Sequence, residues 1–210
     1  MPVLRKHRTA TRGMVRDTVT FAVADGTHDL YVYDGGDWTI AGAIKTAELI
    51  CNDIRDTRFD YRSAALLTAE NGRALPGAAS NIAAKLTIVV KTGANAEIHL
   101  SRMGFERALA PGPITMKTEF GVTEGRPKTS LKTWGPDKAS DWTPETIFEI
   151  DLSAQITEIR ALGSAAIARF HWFWLPALVG FQAQSNYHIY SFDNDPAKAP
   201  RLSVSYDLAA

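Results

Sequence analysis

Residues 18–34, TVTFAVADGTHDLYVYD, decide the fold. Val19, Phe21 and Val23 fall on one side of an extended chain, and Thr18, Thr20 and Ala22 on the other. That period of two belongs to a strand with one buried face. DLYVYD, residues 29–34, is β-branched and aromatic, as strands are. ADGTH between the two runs reads as a hairpin loop, because Gly and Asp supply the backbone freedom a reversal needs.

The same signal returns along the chain. LTIVVK, then TGAN, then AEIHLS reads as strand, turn, strand. HIYSF and RLSVSYDL alternate again, with Leu202, Val204, Tyr206 and Leu208 expected to face inward. The 15 glycines and 10 prolines fall mostly between these runs, as in all-β sandwiches. DLSAQITEIRALGS differs: Leu152, Ile156, Ile159 and Leu162 recur at helical spacing. Asp151 or Ser153 is placed to cap the start and Gly163 to end it. This predicts a short amphipathic helix at about 151–163, laid across a sheet. ARFHWFWLP, carrying apolar side chains on both faces, reads as a central strand covered on both sides, with continuation of the helix as the alternative. Gly104 to Trp142, rich in Gly, Pro, Thr and Lys, reads as long loops between outer strands, with a weak strand signal at ITMKTEFGV.

Size and charge restrict the rest. A chain of 210 residues removes roughly 70% of its extended surface from water on folding, so it needs no covalent staple. A single cysteine, Cys51, excludes an internal disulfide and a cysteine zinc cluster, and reads as a buried, inert thiol. No apolar run reaches the 18 residues of a membrane helix. MPVLRKHRTATRG has charge without an apolar stretch behind it, so no secretory signal is expected. Lys+Arg and Asp+Glu both number 23, so no net field draws nucleic acid. Locally, charge is uneven. Arg5, Lys6, Arg8, Arg12 and Arg16 make residues 1–16 a basic arm ahead of a single domain, 17–210. Two readings are open for it: a segment that orders against a neighbouring subunit, or a solvated tail.

No motif of a nucleophile elbow, a zinc protease, a phosphate loop or a dinucleotide fold occurs. The histidines at 7, 28, 99, 171 and 188 are scattered, and His171 reads as a core histidine. Glu145 and Glu149 are four apart with nothing to mark a cleft, whereas glycoside hydrolysis needs two carboxylates converging on one bond. The chain therefore reads as no enzyme. DGTHD at 25–29, DGGD at 34–37 and DNDP at 193–196 are oxygen-rich clusters at strand ends. Asp193 and Asp195 are the candidate calcium ligands, although turns use the same residues. Trp38, Trp134 and Trp142 lie in polar stretches, either to stack on sugar rings or to plug the ends of a sandwich.

Several stretches together resemble a family. RSAALLTAENGRALPGAASNIAAKLTIVV, residues 62–90, is similar to the core of DNRLRE-type domains. FEIDLSAQITEIRALG resembles that family's Phe-x-Asp-Val-Thr segment and short helix. VGFQAQS and YHIYSFDNDPAKAPRLSVSY resemble its closing strands, through Gly180, Phe181, Tyr190, Ser191, Pro200, Arg201, Leu202, Val204 and Tyr206. The chain departs from the pattern at Phe192-Asp193, where the family has Glu, and in the extra ARFHWFWLPAL run. The resemblance implies an all-β jelly-roll β-sandwich of the carbohydrate-binding-module kind, without catalytic residues. Such domains occur on bacterial surfaces and in phage particles. The expectation is a structural protein of a tailed-phage or phage-like particle (decoration, fibre base or tail), assembled in the host cytoplasm and oligomeric with other virion subunits. No cofactor is expected, with calcium at the Asp clusters as the minor alternative. The alternative is a non-catalytic glycan-binding module that touches cell-surface polysaccharide through the three tryptophans, with or without calcium.

Overall fold

The computed structural model describes residues 13–34, 49–53, 60–92, 100–108, 129–176 and 185–209. Among them run eleven strands and one α-helix. The strands are β1 (Met14–Val23), β2 (Asp29–Asp34), β3 (Leu49–Asp53), β4 (Asp60–Ala69), β5 (Ser80–Thr92) and β6 (Ser101–Arg107). They continue with β7 (Lys132–Trp134), β8 (Ile147–Asp151), β9 (Arg169–Pro176), β10 (Ser185–Ile189) and β11 (Arg201–Ala209). The helix, α1, is Ser153–Ala161. Every strand pairing among these elements is antiparallel. The all-β class with one short helix is what the alternating runs predicted.

Strands fold back on one another in the order β1-β11-β5-β10-β3-β4-β9-β6-β7, and β1 also pairs β4. The sheet thereby closes on itself at one side and stays open at the other. Between its two layers lies one core. From β1, β5 and β11 come Val19, Phe21, Ala84, Leu86, Leu202 and Val204, all at most 1% exposed. From β4, β9 and β6 come Leu67, Phe170, Trp172, Trp174 and Phe105. Phe21 meets Phe170 edge-on at 4.8 Å, and Phe170 meets Phe105 at 5.9 Å, a chain of rings that fixes the layers against each other. Truncating such a ring typically costs about 3–5 kcal/mol.

The helix closes the open side through Ile156 and Ile159, both buried, with Leu152 buried at its start. Asp151 fastens that start: its Oδ1 accepts from Ser153 N at 3.0 Å and from Ser153 Oγ at 2.6 Å. One expectation fails here. Leu162 is 59% exposed, because the helix has ended before its side chain can turn inward. The helix stops at Leu162, directly before Gly163, and does so without a glycine of positive φ.

β9 is central, hydrogen-bonded to β4 on one edge and β6 on the other. Phe170, Trp172 and Trp174 fill the inner face; on the outer face His171 is buried while Phe173 and Leu175 are half-buried. His171 Nδ1 lies 3.7 Å from Glu106 Oε2, its cross-strand neighbour, and Glu106 is fully buried. β11 appears as read, with Leu208 only partly buried, whereas β10 is Ser185–Ile189 and ends within HIYSF, leaving Tyr190, Ser191 and Phe192 outside the strand.

The first strand-turn-strand reading needs correction. β1 and β2 do not form a hairpin. Both run antiparallel to β4 along one line: Val23 stands opposite Leu67, and Asp29 opposite Ala65. Residues 24–28 are an excursion facing the single residue Leu66, whose N–H bonds His28 O at 2.6 Å. A long β4 satisfies both strands at once, so the chain bulges rather than reverses. β5 and β6 do not pair either; β5 lies beside β11, β10 and β8, and β6 between β9 and β7. β6 is SRMGFER and starts at Ser101, the last residue of AEIHLS; the TGAN turn and most of AEIHLS, residues 93–99, lie outside the described residues. ITMKTEFGV also falls outside them.

Candidate functional site

A second excursion mirrors the first. β10 and β11 both lie antiparallel to β5, with Ile189 opposite Val90 and Arg201 opposite Thr87. Residues 190–200 stand out between them. Asp195 organises that loop: its backbone O accepts from Lys198 N and Ala199 N, and its Oδ1 accepts from Ala197 N at 3.0 Å. Asp25 organises the first loop in the same way, through Thr27 N at 2.8 Å and His28 N at 2.9 Å.

The two excursions meet at Asp29. This residue opens β2, is 0% exposed, and its Oδ2 accepts from Phe192 N at 2.7 Å. The Asp193 carboxylate lies against Gly26, where an added Cβ would come within 1.7 Å of Oδ1. Glycine is the residue that admits this approach without displacing Asp193. Burial pushes the Asp29 carboxyl up to about 7; the Phe192 N–H pulls it back, and the Asp193 charge pushes further. Asp29 Oδ1, Ser191 Oγ and His28 Nδ1 are buried without a hydrogen-bond partner. Buried polar atoms left so are uncommon and point to a missing counter-group.

The sequence clusters at 25–29 and 193–196 are thus brought together, through Asp193 but not through Asp195. Asp195 spends its carboxylate on the turn and on Lys198, 3.7 Å away, and so belongs to the loop. Asp193 is at the junction. Asp29, the deepest member, was read as the first residue of a strand, and its burial follows from the excursion that no alternating pattern reveals. DGGD at 34–37 lies outside the described residues apart from the backbone of Asp34.

Beside this corner a shallow groove of about 530 Å³ runs between the excursions, lined by Ala22, Val23, Ala69, Phe192, Pro196 and Arg201 among others. Arg201 bonds Glu70 at its rim, 3.1 Å apart. Its surface is apolar in the floor and charged at the edge. No three His, Cys, Asp or Glu side chains converge on a metal-sized site among the described residues.

The other candidates are dispersed. Trp142 is 1% exposed, donates Nε1 to Thr92 O at 3.3 Å, stacks on Phe148 and packs against Tyr187 at 4.4 Å. It plugs the sandwich and offers no face to a sugar. Trp134 is half-buried, edge-on to Phe148 at 5.3 Å. Trp38 lies outside the described residues, as do Arg5, Lys6, Arg8 and Arg12. Arg16 is exposed on β1, 3.4 Å from Asp207. Glu149 pairs Lys85 at 2.7 Å, whereas Glu145 accepts from Tyr190 Oη at 2.5 Å and pairs Lys198 at 2.7 Å. These two carboxylates serve separate surface networks. Cys51 sits in β3 opposite Tyr187.

The start of β1 has its own character. Met14 and Val15, 64% and 56% exposed, lead in from the basic arm, and β11 is their pairing partner. Residues 13–16 are exposed, whereas Leu208, opposite Val15 on β11, still packs partly against the core.

No protein-family model matches the chain, and no curated protein matches it. Among solved structures, the VP2 subviral particle of infectious bursal disease virus is similar at 10% identity and a TM-score of 0.29, over all of this chain and 42% of that one. The Gx strain of the same virus gives 11% identity and a TM-score of 0.25, covering 100% of this chain and 42% of that chain. The Gt strain gives 9% and 0.23, covering 93% and 61%. The chain spans less than two thirds of each of these, and likeness at such TM-scores carries no argument about function.

Proposed function

We propose that the chain is a structural subunit of a virus-like particle, in the finer reading a decoration, fibre-base or tail component of a tailed phage, acting by packing against other subunits. The observation that carries the reading lies at the start of β1. A basic arm leads into two large apolar side chains, Met14 and Val15, that are exposed there. A neighbouring subunit that covers these side chains recovers roughly 25 cal/mol for each Å² of apolar surface, which offsets the entropy of ordering the arm. Symmetry then multiplies a modest contact over many copies.

The experiment is the light-scattering mass of the full chain across a range of concentrations. It is repeated on a variant carrying Arg5→Glu, Lys6→Glu, Arg8→Glu and Arg12→Glu. Defined oligomers or particles in the wild type, lost or weakened in the variant, are expected. A monomer of 23.0 kDa at every concentration for both chains contradicts the reading. The glycan-binding alternative draws less from the geometry, since Trp142 is spent in the core.

A further inference from the structure

We propose that the corner where the two excursions meet binds a divalent cation of the calcium type, held by Asp29, Asp193 and Ser191. Three observations converge on it. The Asp29 side chain is 0% exposed and its Oδ1 has no partner. Ser191, also 0% exposed, buries an Oγ without a partner two residues before Asp193. The 2.7 Å bond from Phe192 N to Asp29 Oδ2 clamps the Asp29 carboxylate onto the residue between Ser191 and Asp193. The buried side-chain oxygens of Asp29, at the start of β2, and of Ser191, with the exposed Asp193 two residues on, are therefore neighbours in the fold, and among the described residues no ion pair neutralises either carboxylate.

Side-chain cations do not fill that role. Among the described residues, Lys198 is engaged by Glu145 and Asp195, and Arg201 by Glu70. No ion pair of Asp29 or Asp193 occurs among them. A buried carboxylate beside a second carboxylate is costly unless a cation joins them. The donors of Asp29, Asp193 and Ser191 are hard oxygens, which suit calcium or manganese, and the buried side-chain nitrogen beside them is His28 Nδ1. Calcium takes about six to eight oxygens, so backbone carbonyls and water would complete the shell. The consequence for the fold is direct. The ion would bolt the 24–28 excursion to the 190–200 excursion and so fix the line where β1 gives way to β2 and β10 to β11.

The test uses the full chain stripped with EDTA at about pH 8, where carboxylates are charged. Thermal unfolding is followed with and without roughly 1 mM calcium chloride. A site filled well above its dissociation constant raises Tm by about 5 °C or more in a chain of this size. That rise is expected in the wild type and in Asp137→Asn, an exposed control remote from the corner in sequence. It should vanish in Asp29→Asn and shrink in Ser191→Ala. Asp29→Asn keeps an acceptor for Phe192 N and removes the buried charge, so it folds and remains informative. Terbium luminescence sensitised by the aromatic side chains provides a second readout, with one ion per chain expected. An unchanged wild-type Tm in calcium, with no terbium signal, overturns the proposal and leaves a proton or a water at the corner. A calcium response that persists in Asp29→Asn overturns it as well.

Discussion

Asp17 and Asp29 lie on one run of chain, the first in β1 and the second opening β2, and they meet opposite surroundings. Asp17 is 41% exposed at its side chain and fully engaged. It accepts from Thr18 N at 2.7 Å and from Tyr206 Oη at 3.2 Å, and pairs with Arg73, which also donates to Thr18 O. The Thr18 N–H, ahead of Tyr206 and Arg73, holds its carboxyl below the usual range. Asp29 is buried, has one donor on one oxygen and a neighbouring carboxylate, and is pushed up to about 7. The same residue type fastens a surface in one place and leaves a charge uncompensated in the other. What differs is the backbone around each. β1 is regular at Asp17, with cross-strand partners at hand, whereas at Asp29 the strand has just broken.

The largest way to break the comparison is pH, measured with EDTA present. Asp29 binds its proton more tightly folded than unfolded, so its contribution favours folding at low pH. That contribution is lost as pH rises from about 4 through about 7. Three pKa units correspond to up to about 4 kcal/mol. Denaturant unfolding at a series of pH values should show wild-type stability falling across this window relative to Asp29→Asn; parallel curves for the two chains would refute the assignment.

Removal of the acceptor comes next. Asp29→Ala leaves the buried Phe192 N–H without a partner, and at about pH 5 should cost roughly 1–3 kcal/mol of unfolding free energy. Equal stability of Asp29→Ala and Asp29→Asn at that pH would show that the hydrogen bond carries little.

The Asp17 network responds less and with the opposite sign. Its contribution is present above about 4 and lost as pH falls through the depressed pKa, so Asp17→Asn should lower stability near neutral pH and lose that deficit in acid. Tyr206→Phe, which removes one neutral donor from a buried ring, should cost about 1 kcal/mol. A larger loss in Asp17→Asn than in Asp29→Ala, read from the same denaturation curves, would invert the comparison.

The contrast also marks what could be read in the chain. Period-two runs gave β1, β5 and β11, where Val19, Phe21, Leu86, Leu202 and Val204 point inward as their alternation requires, and β9 was legible as an apolar run because both of its faces are covered. The helix was legible from Leu152, Ile156 and Ile159. Pairing was not. Whether ADGTH reverses the chain or merely swells out of it depends on a long β4 supplied some thirty residues later, and no local pattern contains that information. The candidate site inherits this limit. Its acidic clusters were visible as composition, but their meeting across two excursions is a product of register. For Trp142 the sequence left stacking on a sugar and plugging the sandwich open, and its burial decides for the plug.

The most direct measurement is the pH titration of the carboxyl carbons of Asp17 and Asp29 by NMR on one EDTA-treated sample. A midpoint near 7 for Asp29 and one below the usual carboxylate range for Asp17 are predicted. Midpoints below about 4 for both residues would contradict the account, since Asp29 would then be a solvated or fully paired carboxylate like its neighbour on β1.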